Sequence, residues 1–173
     1  MNARGFALFE TAIGACGVAW SDAGIVAIQL PERNQAATRA RLERRVGGVP
    51  EAVPPPNVQR AIDAIASLLD SKPVDLSFVT LDMDGVPNFH RRVYEVARTI
   101  PPGATLCYGD IAARLGDPGS ARAVGQALGR NPFVLVVPCH RVLAARGRTG
   151  GFSANGGTAT KLTLLAIEGA QLF

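Results

Sequence analysis

The hydrophobic pattern of the chain changes period at one joint, "DGVPN" (Asp84–Asn88), and that change limits the fold more than any other feature. Before it, residues 6–30 ("FALFETAIGACGVAWSDAGIVAIQL") alternate short apolar runs with Gly and Asp, and "WSDAG" reads as a turn between two strands. A β-meander is expected there. A charged stretch of helical spacing (Gln35–Val46), the loop "GGVPEAVPPPN" and a second apolar helix, "VQRAIDAIASLLDS", follow in order. "VDLSFVTLDM" alternates like one more strand.

After the joint, helices dominate. Asn88 can cap "FHRRVYEVARTI", whose Phe89, Val93, Val96 and Ile100 share one face before Pro101-Pro102-Gly103 stops it. "YGDIAARLG" is a short helix closed by Gly116, "DPGS" a tight turn, and "SARAVGQALGR" a second short helix. It ends at Asn131, which Pro132 pushes out of the α region. Two short helices joined by a glycine-containing turn suggest a helix-turn-helix. The chain is therefore expected to be α+β: a small α/β domain over residues 1–83, then a mainly helical domain over 84–173.

Charge separates the halves as well. Residues 1–80 hold 8 Lys+Arg against 8 Asp+Glu, whereas 81–173 hold 10 against 6, so the formal +4 lies in the second half. Between Arg114 and Lys161 seven basic residues face one acid, Asp117, as a surface for a polyanion requires, although a solvated basic face explains the same count. No apolar stretch approaches the roughly 20 residues of a membrane helix, and "MNARGFALFE" lacks the apolar region of a secretory signal, so no membrane partner and a cytoplasmic address are expected. Three cysteines, Cys16, Cys107 and Cys139, are an odd number without C-x-x-C spacing, which leaves at least one free thiol and argues against a zinc site.

One of those thiols stands in "VVPCHRV", between Pro138 and His140, at the end of the apolar run "FVLVVP". A buried cysteine is usually an inert small hydrophobe. Adjacent His140, nearby Arg141 and the positive character of the segment are expected to lower the pKa of Cys139 and make it reactive. If Pro138 keeps the backbone extended, Cys139 and His140 point to opposite sides, and only a water could relay a proton between them. Glu168, in "KLTLLAIEG", is the carboxylate best suited to hold the other imidazole nitrogen, with a surface role equally open to it.

The ordered segments "YGDIAARLG", "ARAVGQALGRNP", "NPFVLVVPCHRVLAARGRTGGFS" and "KLTLLAIEG" resemble, across residues 88–170, the O6-alkylguanine-DNA alkyltransferases, or methylated-DNA–protein-cysteine methyltransferases. Residues 1–80 fit that family's N-terminal domain by size and pattern. The resemblance implies a ribonuclease H-like first domain and a winged-helix-like second one. It implies stoichiometric transfer of the alkyl group from O6-alkylguanine, and less well from O4-methylthymine, in double-stranded DNA to Cys139. His140 and Glu168 would draw off the thiol proton, Tyr108 would donate to the departing base, and Asn131 would tie the helix to the active-site segment.

For the substrate pocket the resemblance implies Tyr108, Val142, Gly150, Gly151, Phe152 and Ser153, with Ser153 meeting O6. For DNA it implies minor-groove docking of the second helix through Ala121, Ala123 and Gly125. Arg122 would replace the everted base, and Arg114, Arg130 or Arg141 would contact phosphates. It implies no cofactor and no metal, since Cys16 is the only cysteine before residue 107 and no histidine precedes His90. A monomer is expected, with cooperative binding along DNA left open.

Three other classes compete. A lesion-binding module without transfer would lack the acceptor cysteine, and a sequence-reading regulator would want polar side chains on the Ala-rich second helix. A Cys-His acyl hydrolase would need a directly bonded base and an oxyanion site.

Overall fold

The computed structural model describes residues 2–145 and 148–171. Arg146 and Gly147, within the quoted active-site segment, and the extreme ends of the two domain spans, Met1 and Leu172–Phe173, lie outside the described residues. The chain forms two compact units. The first runs to Gly85 and also takes in Pro132–Val134; the second holds Val86–Asn131 and the chain from Leu135 onward.

The first unit is built on an antiparallel meander of β1 (Gly5–Thr11), β2 (Gly14–Trp20) and β3 (Ile25–Gln29). Register runs from Gly5 opposite Trp20 to Thr11 opposite Gly14, and the Thr11 hydroxyl donates to the Gly14 carbonyl at 2.7 Å to close the turn. Helix α1 (Gln35–Val46), capped by Asn34, lays Leu42 against the sheet so closely that a Cβ on Gly17 would stand 2.7 Å from a Leu42 methyl. Phe6, Ala19, Val26, Ala27, Leu42 and Val46 form this core, and burying Leu42 alone contributes about 2 kcal/mol. Helix α2 (Pro56–Leu69) packs against β1. "VDLSFVTLDM" corrects expectation: it is no strand, and only Leu81 bridges to Ile25. Its alternation does not match its burial: Leu76 and Val79, three residues apart, are buried, whereas Phe78 is exposed.

Arg45 fastens the 132–134 strap inside this unit. Its guanidinium donates to the carbonyls of Ile28 (2.8 Å) and Pro132 (3.2 Å), while Ile28 N donates to Pro132 O at 2.9 Å.

The second unit packs α3 (Asn88–Ala97), α4 (Tyr108–Arg114) and α5 (Ala121–Gly129) together, with a 3-10 turn at Pro118–Ser120 between the last two. Asn88 is the first residue of α3 rather than its cap, because Pro87 holds that position and no side chain caps the helix. The buried face is carried by Val93, Tyr94 and Ala97, and the Tyr94 hydroxyl donates to Ala127 O at 2.7 Å, joining α3 to α5. A two-residue parallel ladder, β4 (Leu106–Cys107) on β5 (Val142–Leu143), has no signature in the sequence. It sets Tyr108, which follows β4, beside the segment that contains Cys139. Helix α6 (Gly157–Ile167) completes the unit. Among the described residues no helix is long and apolar enough to cross a membrane.

Candidate active site

The run after Asn131 is not a strand. Leu135 takes a left-handed φ of 76°, uncommon for a branched residue and costing about 1–2 kcal/mol. Asn131 makes that turn stable: its buried Nδ2 donates to Val137 O at 2.9 Å. Pro138 (ψ 66°) then bends the chain into a 3-10 helix, Cys139–Arg141. This overturns the expectation of an extended Pro138 segment with Cys139 and His140 on opposite sides, since a 3-10 path rotates successive side chains by about 120°.

Cys139 is 6% exposed and its exposed surface opens on a cavity of about 420 Å³. Tyr108, Gly125, Leu128 and Gly129 line one part of it, and Gly151, Phe152 and Ser153 another. Gly150 does not line it but backs Tyr108: at φ 70°, a Cβ there would stand 2.8 Å from the Tyr108 hydroxyl. Val142 is a correction to the pocket set. It is fully buried in β5 and absent from the cavity wall; its carbonyl instead accepts from Lys161 Nζ at 2.6 Å.

Burial pushes the Cys139 thiol above its ordinary pKa, although a hydrogen bond from the Asn131 side chain and the positive charge of Lys161 oppose it. The expectation of a thiol lowered by His140 and Arg141 is therefore reversed: the sulfur rests as a thiol. It needs a base.

His140 is 1% exposed, and its Nε2 lies 2.9 Å from Glu168 Oε1. Burial lowers the imidazole pKa, against the pull of Glu168 in the other direction, so the ring is neutral. Burial raises the Glu168 carboxyl, but hydrogen bonds from Arg141 and His140 outweigh it and hold it at about 2. An ionised carboxylate can only accept, which places the imidazole proton on Nε2. Nδ1 is left buried without a partner, as a free base.

The surface residues divide clearly. Arg122 on α5, Arg130 at the C-terminal cap of α5 and Arg114 on α4 are exposed, and Ala121, Ala123 and Gly125 are half-buried along α5. Arg141 is a second correction. It is 5% exposed and bonded to Glu168, so it has no face to offer a phosphate. Cys107, one residue before Tyr108, accepts at the α4 N-terminus and donates to Ala144 O at 3.7 Å.

Lys161, Leu128 and Gly129 are site residues that the sequence does not single out. Lys161 is completely buried, with Nζ 5.8 Å from the Tyr108 ring centroid and burial lowering its pKa to about 8. A signal existed: Lys161, Leu164, Leu165 and Glu168 occupy one helical stripe, where a lysine is out of place. Among the described residues no three His, Cys, Asp or Glu side chains converge as a metal site requires.

The second unit thus brings a buried cysteine to a walled cavity, beside a neutral imidazole fixed by a carboxylate. Residues 88–170 match the family model described as 6-O-methylguanine DNA methyltransferase, DNA binding domain. A methylated-DNA–protein-cysteine methyltransferase of Methanothermobacter thermautotrophicus is 39% identical over 90% of this chain and 80% of its own length. One from Mycolicibacterium paratuberculosis is 51% identical over 52% of this chain and 53% of its own, so that alignment spans about half of either protein. The crystal structure of Mycobacterium tuberculosis OGT in complex with DNA superposes with a TM-score of 0.74 at 30% identity, covering 95% of this chain and 92% of that one. The chain belongs to the methylated-DNA–protein-cysteine methyltransferase family.

Proposed function

We propose that this protein repairs O6-alkylguanine in duplex DNA by moving the alkyl group, once and irreversibly, to the sulfur of its own Cys139. The reading rests above all on the cavity into which Cys139 opens, bounded by Tyr108, Phe152 and Ser153 and backed by the His140–Glu168 pair. His140 Nδ1 draws off the thiol proton through one water. The thiolate forms a bond to the alkyl carbon as the bond from that carbon to O6 breaks, and the electron pair passes to the guanine. Tyr108 donates to the base and Ser153 meets O6, lowering the barrier to its departure as a developing anion. A thioether has no easy return, so each molecule turns over once. O4-methylthymine is a poorer substrate.

A stacked base cannot reach the sulfur, so the nucleotide is turned out of the duplex. Helix α5 enters the minor groove on Ala121, Ala123 and Gly125, Arg122 fills the vacated place, and Arg114 and Arg130 meet phosphates. Asn131 acts through the thiol and the turn below it. We assign residues 84–173 a winged-helix-like architecture that binds DNA as a cytoplasmic monomer, and residues 1–83 a ribonuclease H-like one that supports it. The test is intact mass and peptide mapping after incubation with an O6-methylguanine duplex. One methyl group on the Cys139 peptide is the expected result; tight DNA binding by an unmodified protein would replace this reading with a lesion-binding role.

A further inference from the structure

Arg141 lies in a basic stretch that suggests a place at the DNA, yet its guanidinium is spent inside the protein. Nε donates to Glu168 Oε1 at 2.9 Å, Nη2 to Glu168 Oε2 at 2.5 Å, and Nη1 to Ile100 O at 2.7 Å. The Arg141 and Glu168 side chains are 6% and 2% exposed. Oε1 is the same oxygen that faces His140 Nε2. A planar guanidinium gripping both carboxylate oxygens fixes the plane of the carboxylate as well as its charge, and a third bond to a backbone carbonyl fixes the guanidinium in turn.

We propose that Arg141 is a positioning residue for the base of the reaction: by holding Glu168 ionised and in one orientation, it confines the His140 proton to Nε2 and keeps Nδ1 free to receive the proton of Cys139. This inference rests on the alkyl-transfer reading for its purpose, but its test does not involve DNA.

Charge explains why a bare carboxylate would serve less well. Glu168 alone would raise the basicity of His140 until the ring held its own proton near neutral pH. The adjacent positive charge of Arg141 offsets that pull, as Lys161 does to a smaller extent. Among the described residues the groups facing this cluster are His140 and Arg141 of the 3-10 helix, Lys161 of α6, the Cys139 thiol and, from the segment after α3, the Ile100 carbonyl. Loss of Arg141 acts twice in one direction. Glu168 loses its strongest stabilising partner and moves up, and His140 loses a repelling charge and moves up.

The experiment is the rate of Cys139 alkylation by iodoacetamide between pH 4 and 9, followed by peptide mass in the wild type, Arg141→Gln and Arg141→Lys. Below the plateau, Arg141→Gln is expected to react about tenfold more slowly than wild type at equal pH, an upward displacement of about one unit. Arg141→Lys retains charge without the fork and should fall between. Superimposable acid limbs after scaling to the plateau, with only the melting temperature lowered, would make Arg141 merely structural and overturn the proposal. If Arg141→Gln does not fold, the acid limb of Arg141→Lys decides the question against that of the wild type, which must also pass a test of its own tautomer. Its His140 nitrogen-15 shifts must show Nε2 protonated, and a ring protonated on Nδ1 overturns the proposal equally. Absence of methyl transfer from DNA in a wild type that passes both tests would sink the functional reading and leave the role of Arg141 standing.

Discussion

Lys161 Nζ lies 2.6 Å from the carbonyl oxygen of Val142 and 3.3 Å from that of Gly151, with none of the residue exposed and no carboxylate paired with it among the described residues. Its charge is therefore costly. Burial lowers its pKa to about 8, opposed by Cys139 only once that sulfur ionises. Between pH 8 and its unfolded value near 10.4 the unfolded chain binds a proton that the native one lacks, so this part of the stability rises with pH and is lowest near neutrality.

Lys161→Met should remove that cost and with it a positive charge that favours the thiolate. Melting temperature at pH 7 is expected to hold or rise, by about 1–3 kcal/mol of stability at most, while the Cys139 thiol titrates at higher pH and is alkylated about tenfold more slowly. Thiol absorbance against pH and calorimetry measure the two arms. An unmoved thiol titration would deny the lysine its electrostatic part.

Asn131 joins the turn to the sulfur. Its side chain donates to Val137 O at 2.9 Å and also hydrogen-bonds Cys139. Asn131→Ala removes one of the two bonds to the Val137 carbonyl, which keeps the Cys139 amide at 2.8 Å, and loosens the strained Leu135 turn, costing about 0.5–1.5 kcal/mol in denaturant unfolding. The thiol should rise further at the same time. A destabilised variant with the thiol unchanged would reduce Asn131 to a scaffold residue.

How far the sequence foretells all this depends on whether the signal is local. The meander at residues 5–29 is visible because period-2 alternation and a Ser-Asp-Ala-Gly turn are local properties, and so are α1, α2 and the helix pair α4 and α5. The β4–β5 ladder is not, because two residues carry no period and their pairing is tertiary. The 3-10 path at Cys139 is hidden because Pro138 fixes φ but leaves ψ free, and ψ is 66°. Arg141 is misleading for a similar reason: an arginine in a basic stretch looks like a phosphate ligand until its partner, 27 residues on, is known. The thiol pKa comes out with the wrong sign from sequence because burial, which sequence shows only dimly, outweighs the neighbouring charges.

Gly150 offers a test of pocket shape separate from charge. Its φ of 70° disfavours a side chain, and a methyl there would approach the Tyr108 hydroxyl to 2.8 Å. Gly150→Ala should push the phenol across the cavity. Binding to undamaged duplex should stay within about twofold of wild type, because α5 is untouched, while reaction with free O6-benzylguanine falls at least about tenfold, or about 1.4 kcal/mol. Parallel losses in both assays would show a general distortion instead.

His140 should also leave a mark on stability against pH. Its native pKa lies below the ordinary value near 6.5, because burial disfavours the imidazolium. Below pH 6.5 the unfolded chain takes up a proton that the native ring refuses, so stability must fall as pH falls, until the native ring itself titrates. Glu168 acts elsewhere: its carboxyl is held at about 2, so its contribution stands above the ordinary carboxylate value near 4.3 and is lost only as pH drops from there toward 2. Between pH 6.5 and 5, wild type is expected to lose up to about 1.4 kcal/mol per pH unit more than His140→Gln, the slope for one proton. Chemical denaturation of both proteins across that window measures the difference, and His90, present in both, cancels. Equal slopes would mean that the ring takes its proton readily in the native state, and a base already charged at neutral pH could not serve Cys139.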